Sequence, residues 1–342
     1  MTKQLRAAVI GVGSMGSNHA RVYAGMDDIE LAAVCDRNLD VAERIGGIYR
    51  CKAYSSYEAM FAQEQLDLVS IVVPTAEHFT VANAVIEHKV ALLIEKPIAA
   101  TLEQGQAIID AAHQAGVVLT VGHIERFNPA IIALKQQLLA QELGQIFQVT
   151  TRRVGPFPPR IMDVGVVIDL ATHEMDILSY LLDASISRMH VELHRHIHTT
   201  HEDMFTAILR FENGILGNVD INWLTPTKIR ELSVIGERGM FVANYLTQDL
   251  TFYENDECQS KQWQDLARIG VTEGRVIRLK VPRREPLLEQ LRAFGNAVRG
   301  LHPPKVSGED GLRALRLAKE LLRHGRANSE QFAPQVVPTL VG

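Results

Sequence analysis

The sequence predicts an α/β protein: an N-terminal domain built on a doubly wound parallel sheet, then an α+β domain with a large, mainly antiparallel sheet. Three observations carry this. Apolar runs alternate with helix-period segments up to about residue 124. A glycine-rich turn joins the first run to the first helix. Beyond it, strand-like segments follow one another with hairpin signals between them.

The apolar runs Ala7–Ile10, Leu31–Val34, Leu68–Val73, Ala91–Ile94 and Val117–Val121 predict buried parallel strands. Ala76–His88 and Thr101–Ala115 have helical period, and Thr101 with Gln104 has the form of a capping box. Pro129–Ala140 predicts a helix and Ile146–Arg153 a strand, followed by the proline-rich loop Gly155–Pro159. The segment Asp163–Leu178 reads as an apolar helix. Strands are then expected at Arg188–His198, Met204–Phe211, Ile215–Trp223, Ile229–Ile235, Met240–Ala243 and Leu250–Tyr253, with Glu212-Asn-Gly214 as a hairpin turn. Helices near Leu287–Arg299 and Glu309–Arg323 close the chain. The expected domains are 1–124, 125–326 and a tail, 327–342.

Composition narrows the function classes. The 342 residues are 46% hydrophobic and 22% charged, with a formal net charge of −5. Nothing in that balance points to nucleic acid or an anionic membrane. No run has signal-peptide character or is long enough to span a bilayer. Three widely spaced cysteines (Cys35, Cys51, Cys258) argue against a disulfide framework or a zinc ribbon and fit a cytoplasmic protein.

Val9-Ile-Gly-Val-Gly-Ser-Met-Gly16 reads as strand, tight turn and helix start. Gly11, Gly13 and Gly16 match the dinucleotide-binding pattern of a Rossmann domain. In that pattern the first glycine permits the turn, the second admits a pyrophosphate, and the third lets helix and sheet approach. Val12, Ser14 and Met15 complete the loop. Asp36 lies twenty residues past Gly16, where a carboxylate receives the adenine-ribose hydroxyls. It would repel a 2′-phosphate, so NAD is expected over NADP. Arg37 beside it can stack on adenine or tolerate that phosphate.

Ligands of such sheets bind beyond the carboxyl ends of the strands. Three ends carry polar groups: Pro74 and Thr75 with His78 one turn on, Glu95-Lys96-Pro97, and Gly122-His123. Lys96, between a buried strand and a proline, can donate to a substrate hydroxyl or stabilise a developing alkoxide. The plain alternative is a solvated loop lysine. Arg126 and Asn128 open the next helix and can reach the nicotinamide ribose or a sugar. Arg152, Arg153 and Arg160 flank the proline loop and can meet phosphates or merely line a surface.

Asp169, His173 and Asp176 share one helical face in an apolar segment. Oxidising a carbinol needs a base for the hydroxyl proton, and a histidine steadied by a carboxylate one turn earlier suits that. A satisfied polar seam in a buried helix is the alternative, and Asp176 is expected to be structural. His194, His196 and His198 alternate along an expected strand. A flat face rarely converges metal ligands, so a polar face or subunit contact is the reading, and no metal is expected.

Gly11-Val-Gly-Ser-Met-Gly16, Glu95-Lys-Pro97 and Asp169…His173, in that order, resemble the Gfo/Idh/MocA family of NAD(P)-dependent sugar and cyclitol oxidoreductases. The resemblance covers nearly the whole chain. It implies that Lys96 is the active-site lysine and that Asp169 and His173 are the other catalytic positions. From their place at the strand ends, Pro74, Thr75, His78, Glu95, Lys96 and Asn128 are expected to join the glycine loop, Asp36 and Arg37 in binding the cofactor, and the resemblance implies a homodimer or homotetramer formed through the second sheet. Gly122–Pro129, Gly155–Leu170 and Asn222–Arg230 look like the branch that oxidises UDP-N-acetylglucosamine at its 3-hydroxyl. Members acting on inositol or glucose usually carry a tyrosine-containing segment where this chain has Thr225-Pro-Thr-Lys228. On that resemblance Arg126, Arg160 and Lys228 join Lys96, Asp169 and His173 as substrate-binding candidates, and Lys228 and Arg230 suit a diphosphate. A free polyol dehydrogenase, a nucleotide-sugar ketoreductase and a cofactor-binding regulator remain the alternatives.

Overall fold

A computed structural model of the chain describes residues 4–158, 164–198, 200–256 and 274–331. Two compact units are present, 1–129 with 283–316 and 130–282 with 317–342.

The first unit is built on β1 (Leu5–Ile10), β2 (Ile29–Cys35), β3 (Lys52–Tyr54), β4 (Leu68–Ile71), β5 (Ala91–Ile94) and β6 (Leu119–Val121). They form one sheet in the order β3-β2-β1-β4-β5-β6, every neighbouring pair parallel. Its helices are α1 (Ser14–Ala24), α2 (Leu39–Tyr49), α3 (Tyr57–Gln63), α4 (His78–Glu87) and α5 (Leu102–Ala115). Successive strand residues point to opposite faces, so continuous apolar runs supply two cores. Ala7, Val9, Leu68 and Leu93 enter one, while Ala8, Ile10, Val69 and Leu92 enter the other. Each such Val, Leu or Ile contributes about 1.5–3 kcal/mol by burial. The expected strands are present, several with shifted ends, while β3 was not expected. Thr101 caps α5 by accepting the Gln104 N–H at 3.2 Å. The Gln104 Oε1 is enclosed without a partner, so only half of the expected capping box forms.

The second unit contains α6 (Pro129–Leu139), β7 (Ile146–Val154), α7 (Thr172–Leu182), β8 (Ile186–His194), β9 (Met204–Phe211), β10 (Leu216–Asn222), β11 (Ile229–Gly236), β12 (Gly239–Asn244), β13 (Asp249–Glu254) and β14 (Val276–Leu279). Its sheet runs β14-β13-β12-β11-β7-β10-β9-β8 and is antiparallel except where β7 meets β10. One face is covered: Phe205, Ala207, Leu209 and Phe211 point into the core, while Thr206, Ile208 and Arg210 point out. β8 stops at His194 rather than His198. The Asp203 carboxylate accepts the N–H groups of His196, Ile197 and His198, so these residues turn into a loop instead of pairing.

The last helices are α8 (Pro286–Val298) and α9 (Gly308–Gln331). They do not belong wholly to the second unit, as the expected boundaries have it. Leu287, Leu291 and Phe294 of α8, and Leu312 and Leu315 of α9, are buried in the cores of the first unit. Ala318 and Leu321 of α9 enter the core of the second. The helix also continues to Gln331, through the start of the expected tail. The rest of that tail lies outside the described residues.

Candidate functional site

Within the first unit, β1 pairs with β2 on one side and β4 on the other. The chain therefore leaves this point in two directions, which opens a crevice at the carboxyl ends. A cleft of about 580 Å³ lies there, lined by Gly11, Gly13, Asp36, Arg37, Pro74 and Glu77 among others.

The three glycines serve different ends. Gly11 has φ +86°, and a Cβ on it would stand 2.6 Å from the Val72 carbonyl oxygen. On Gly16 a Cβ would meet the Gly11 carbonyl at 1.8 Å, whereas Gly13 faces open space. Gly13 is the N-cap of α1, with no side chain capping the helix and no acidic residue in its first turn. The N–H groups of that turn are thus left for an anion, with the helix dipole behind them. Val12 is core, and its N–H donates to Asp36 Oδ2 at 2.9 Å. Ser14 is exposed and Met15 half-buried. The open second glycine, the uncapped helix and Asp36 at the cleft wall fit a dinucleotide.

Ser55, Ser56, Tyr57 and Glu58 also line the cleft, and sequence reasoning missed them. They follow β3, whose three residues Lys52-Ala-Tyr54 carry too little pattern to announce a strand.

Lys96 is the one residue of Ala91–Ala99 that is not buried. Its backbone is held from both sides. The Glu95 Oε2 accepts the Lys96 N–H at 3.3 Å. Beyond it, the ring nitrogens of His78 lie 2.8 Å from the Pro97 carbonyl oxygen and 3.0 Å from that of Val73. His78, expected to bind cofactor, is therefore an enclosed brace between two strand ends. Burial lowers its pKa below the ordinary 6.5, against the opposing pull of those carbonyls. Glu95, also expected among the cofactor ligands, is buried and turned to His19.

Two more expected ligands are enclosed. Arg126 is buried and ion-paired with Asp310 at 3.0 Å. Burial acts to raise the Asp310 pKa, but Arg126 outweighs it and holds the carboxyl below its usual range. Asn128 is buried, its side-chain amide near Glu125. Pro74 lines the cleft; Thr75 is half-buried in the turn before α4.

In the second unit, Asp169 lies in a π-helical turn, Val167–Ala171, that leads into α7. The Thr172 N–H reaches back to the Val167 carbonyl, which widens the turn. The N-terminus of this segment is capped from a distant loop: Val166 N–H donates to the Glu202 carbonyl at 3.0 Å and Val167 N–H to the Glu202 carboxylate at 3.3 Å. Asp169 and His173 are half-buried, while Glu174 and Asp176 are buried. The π turn alters the expected four-residue helical register between Asp169 and His173.

Sequence reasoning also missed Glu174. Fully buried beside His173, it accepts from Arg153 and Thr151, and Arg153 stacks over Tyr245. Arg153 is thereby removed as a phosphate ligand, and Arg152 pairs with Asp220 on the open face. Arg160 lies outside the described residues. Lys228 is exposed and packs beside Gly155, where β7 ends. Arg230 donates instead to the carbonyls of Val154 and Ile229. The three histidines do not share a face. His194 and His196 stack with ring centres 5.6 Å apart, and His198 is buried against Phe157 and Trp223. Among the described residues no His/Cys/Asp/Glu group could hold a metal ion, and no helix is long and apolar enough to cross a membrane.

Two family profiles match the chain: an oxidoreductase family with an NAD-binding Rossmann fold over residues 5–123, and the GFO/IDH/MocA C-terminal domain over residues 131–242. The chain belongs to the Gfo/Idh/MocA family of oxidoreductases. It is 30% identical over 317 residues to UDP-N-acetylglucosamine 3-dehydrogenase of Acidithiobacillus ferrooxidans, covering 93% of this chain and 96% of that one. It is 25% identical over 341 residues to myo-inositol 2-dehydrogenase of Thermotoga maritima, covering 94% and 98%. The solved structure of the Acidithiobacillus ferrooxidans enzyme, GnnA, superposes with a TM-score of 0.83 at 29% identity, over 96% of this chain and 99% of that one. As a member of the family, the protein is an oxidoreductase whose first unit binds NAD.

Proposed function

We propose that the protein oxidises UDP-N-acetylglucosamine to its 3-keto derivative, with NAD as acceptor. The observation that carries this reading is the near full-length match, 30% identity over 93% of the chain, to an enzyme of that activity. The segment Thr225-Pro-Thr-Lys228 supports it. This segment lacks tyrosine, and the exposed Lys228 beside Gly155 offers a cation to a diphosphate.

Bound NAD supplies the two-electron acceptor for the hydride leaving the carbinol carbon. The chain's own residues handle the proton and the oxygen. Lys96, its backbone braced by Glu95 and by His78 through Pro97, donates to the carbinol oxygen and steadies its negative charge. His173 takes the hydroxyl proton, and Asp169 orients that imidazole or holds a neighbouring sugar hydroxyl. The C–H pair leaves as hydride, the O–H proton passes to His173, and the C–O bond becomes a carbonyl.

A second reading, a free cyclitol dehydrogenase, is favoured by the match to myo-inositol 2-dehydrogenase. NADH absorbance decides between them. The proposed substrate gives turnover with UDP-N-acetylglucosamine that Lys96→Ala abolishes. Turnover of myo-inositol with none of any UDP-hexosamine overturns it.

We infer also that the chain self-associates through the open face of its second sheet. Leu216, Ile235, Met240, Tyr253 and Val276 lie along one row of register across β10, β7, β11, β12, β13 and β14, bridged at β7 by Gln148. All but the half-buried Met240 are exposed, an apolar row of the kind that marks an interface.

A further inference from the structure

A buried hydrogen bond connects the cofactor helix to the strand end that carries Lys96. His19 lies on the inner face of α1, six residues past Gly13, and is fully enclosed. Its Nε2 stands 3.0 Å from Glu95 Oε1. The other Glu95 oxygen accepts the Lys96 N–H at 3.3 Å. From a third side the end of β6 closes in: a Cβ on Gly122 would stand 2.7 Å from Glu95 Oε1. The carboxylate is thus fixed between a helix, its own strand and the next strand. Burial acts to raise the Glu95 pKa. The hydrogen bond from His19, with Lys96 beside it, outweighs burial and holds the carboxyl below its usual range. The His19 Nδ1 has no hydrogen-bond partner.

We propose that His19 and Glu95 are positioning residues for the oxidation: they fix the Lys96 main chain relative to the helix whose N-terminus receives the cofactor phosphates. This rests on Lys96 acting at the carbinol oxygen. An error of about 1 Å in placing a reacting group costs on the order of 100-fold in rate, so an anchor at Glu95 has catalytic leverage without touching substrate. The anchor needs one N–H at the reach of Nε2, which glutamine supplies and leucine does not.

The experiment compares wild type with His19→Leu, His19→Gln and Glu95→Gln. Steady-state kinetics use the sugar that wild type oxidises, NAD affinity comes from calorimetry, and folding from the melting temperature. His19→Leu is expected to lose at least tenfold in kcat while KM and the NAD dissociation constant stay within threefold. His19→Gln recovers to within threefold of wild type, and Glu95→Gln falls with His19→Leu. A folded His19→Leu with wild-type kcat overturns the proposal, as does a loss that His19→Gln fails to recover. A substrate-free readout separates this failure from a wrong role for Lys96. The lysines are reductively ¹³C-methylated, and the Lys96 signal is assigned by its loss in Lys96→Arg. On adding NAD it should shift as one sharp line in wild type and His19→Gln and broaden or split in Glu95→Gln and His19→Leu. Identical lines in all four proteins overturn the proposal even if no sugar is turned over. If His19→Leu does not fold, Glu95→Gln carries the same comparisons.

Discussion

The Asp36 carboxylate accepts the Val12 backbone N–H at 2.9 Å, and so ties the end of β2 to the glycine loop. Its other oxygen accepts the Asn38 N–H at 3.0 Å. Each oxygen keeps a lone pair for a ribose hydroxyl. A 2′-phosphate would bring negative charge to a cleft that Glu58 and Glu77 also line, with Arg37 the one cation among the lining residues.

Asp36→Ser is therefore expected to weaken NAD. Hydrogen bonds to a charged group are worth about 1.5–3 kcal/mol, so the loss is roughly 10- to 100-fold in affinity, and the preference for NAD over NADP narrows. Calorimetric titration with both dinucleotides checks this. An unchanged NAD affinity would remove Asp36 from the ribose site.

Lys96→Ala should lower kcat by at least about 100-fold, the scale of losing one preorganised donor to a developing oxyanion. NAD affinity and the melting temperature should stay near wild type. Lys96→Arg should not restore the rate, because a planar guanidinium replaces a compact ammonium. Rate recovery by arginine would point to a purely electrostatic part for the side chain.

The Arg153–Glu174 pair is a stability element beside His173. Removing one partner leaves a buried charge, which costs about 3–5 kcal/mol. Glu174→Gln is expected to show that loss in urea unfolding. Replacing both groups together, as in Arg153→Met with Glu174→Leu, should cost less than the single change. Equal costs would show that the charge left behind is not what destabilises the single variant.

His78 sets a pH dependence. Its folded-state pKa lies below the ordinary 6.5, so the unfolded chain binds the proton more readily. The stability it contributes is present above pH 6.5 and is lost as pH falls through the folded value. The melting temperature should begin to fall just below pH 6.5, and His78→Gln should flatten that limb. The depressed carboxyls Glu64, Glu95, Asp203 and Asp310 have the same sign, but their losses begin below about pH 4.5. Parallel profiles for wild type and variant between pH 7 and 5 would assign the limb to other groups.

Ile235→Lys places a charge in the apolar row of the open face. In sedimentation velocity it is expected to shift the protein to a smaller species with activity per chain measured separately. An unshifted distribution would exclude this face as the contact.

Much of this was legible in the residues because the signals are local. Gly11, Gly13 and Gly16 announce a turn that only glycine can make, and Leu92, Leu93 and Ile94 announce a strand buried on both faces. The missed parts depend on partners far away in the chain. His78 reads as a ligand until the carbonyls of Pro97 and Val73 are seen around it. Arg126 reads as a free cation until Asp310, 184 residues on, arrives beside it. The histidine alternation looked like strand until Asp203 drew three of its N–H groups into a loop. β14 and β3 are short edge strands, and their pattern is too brief to separate from a turn.

The first unit takes its chain from two separate stretches, 1–129 and 283–316. A ribosome that has released the whole parallel sheet has therefore not yet made Leu291, Phe294 or Leu315, which finish its two cores. Until they emerge, the nascent sheet offers uncovered apolar surface for as long as the 153 residues of 130–282 take to synthesise. At about 5–20 residues per second that wait is on the order of ten seconds or more. The second unit waits as well, for Ala318 and Leu321 of the same α9, so one late helix completes both cores and neither half of the protein is whole until it has been made.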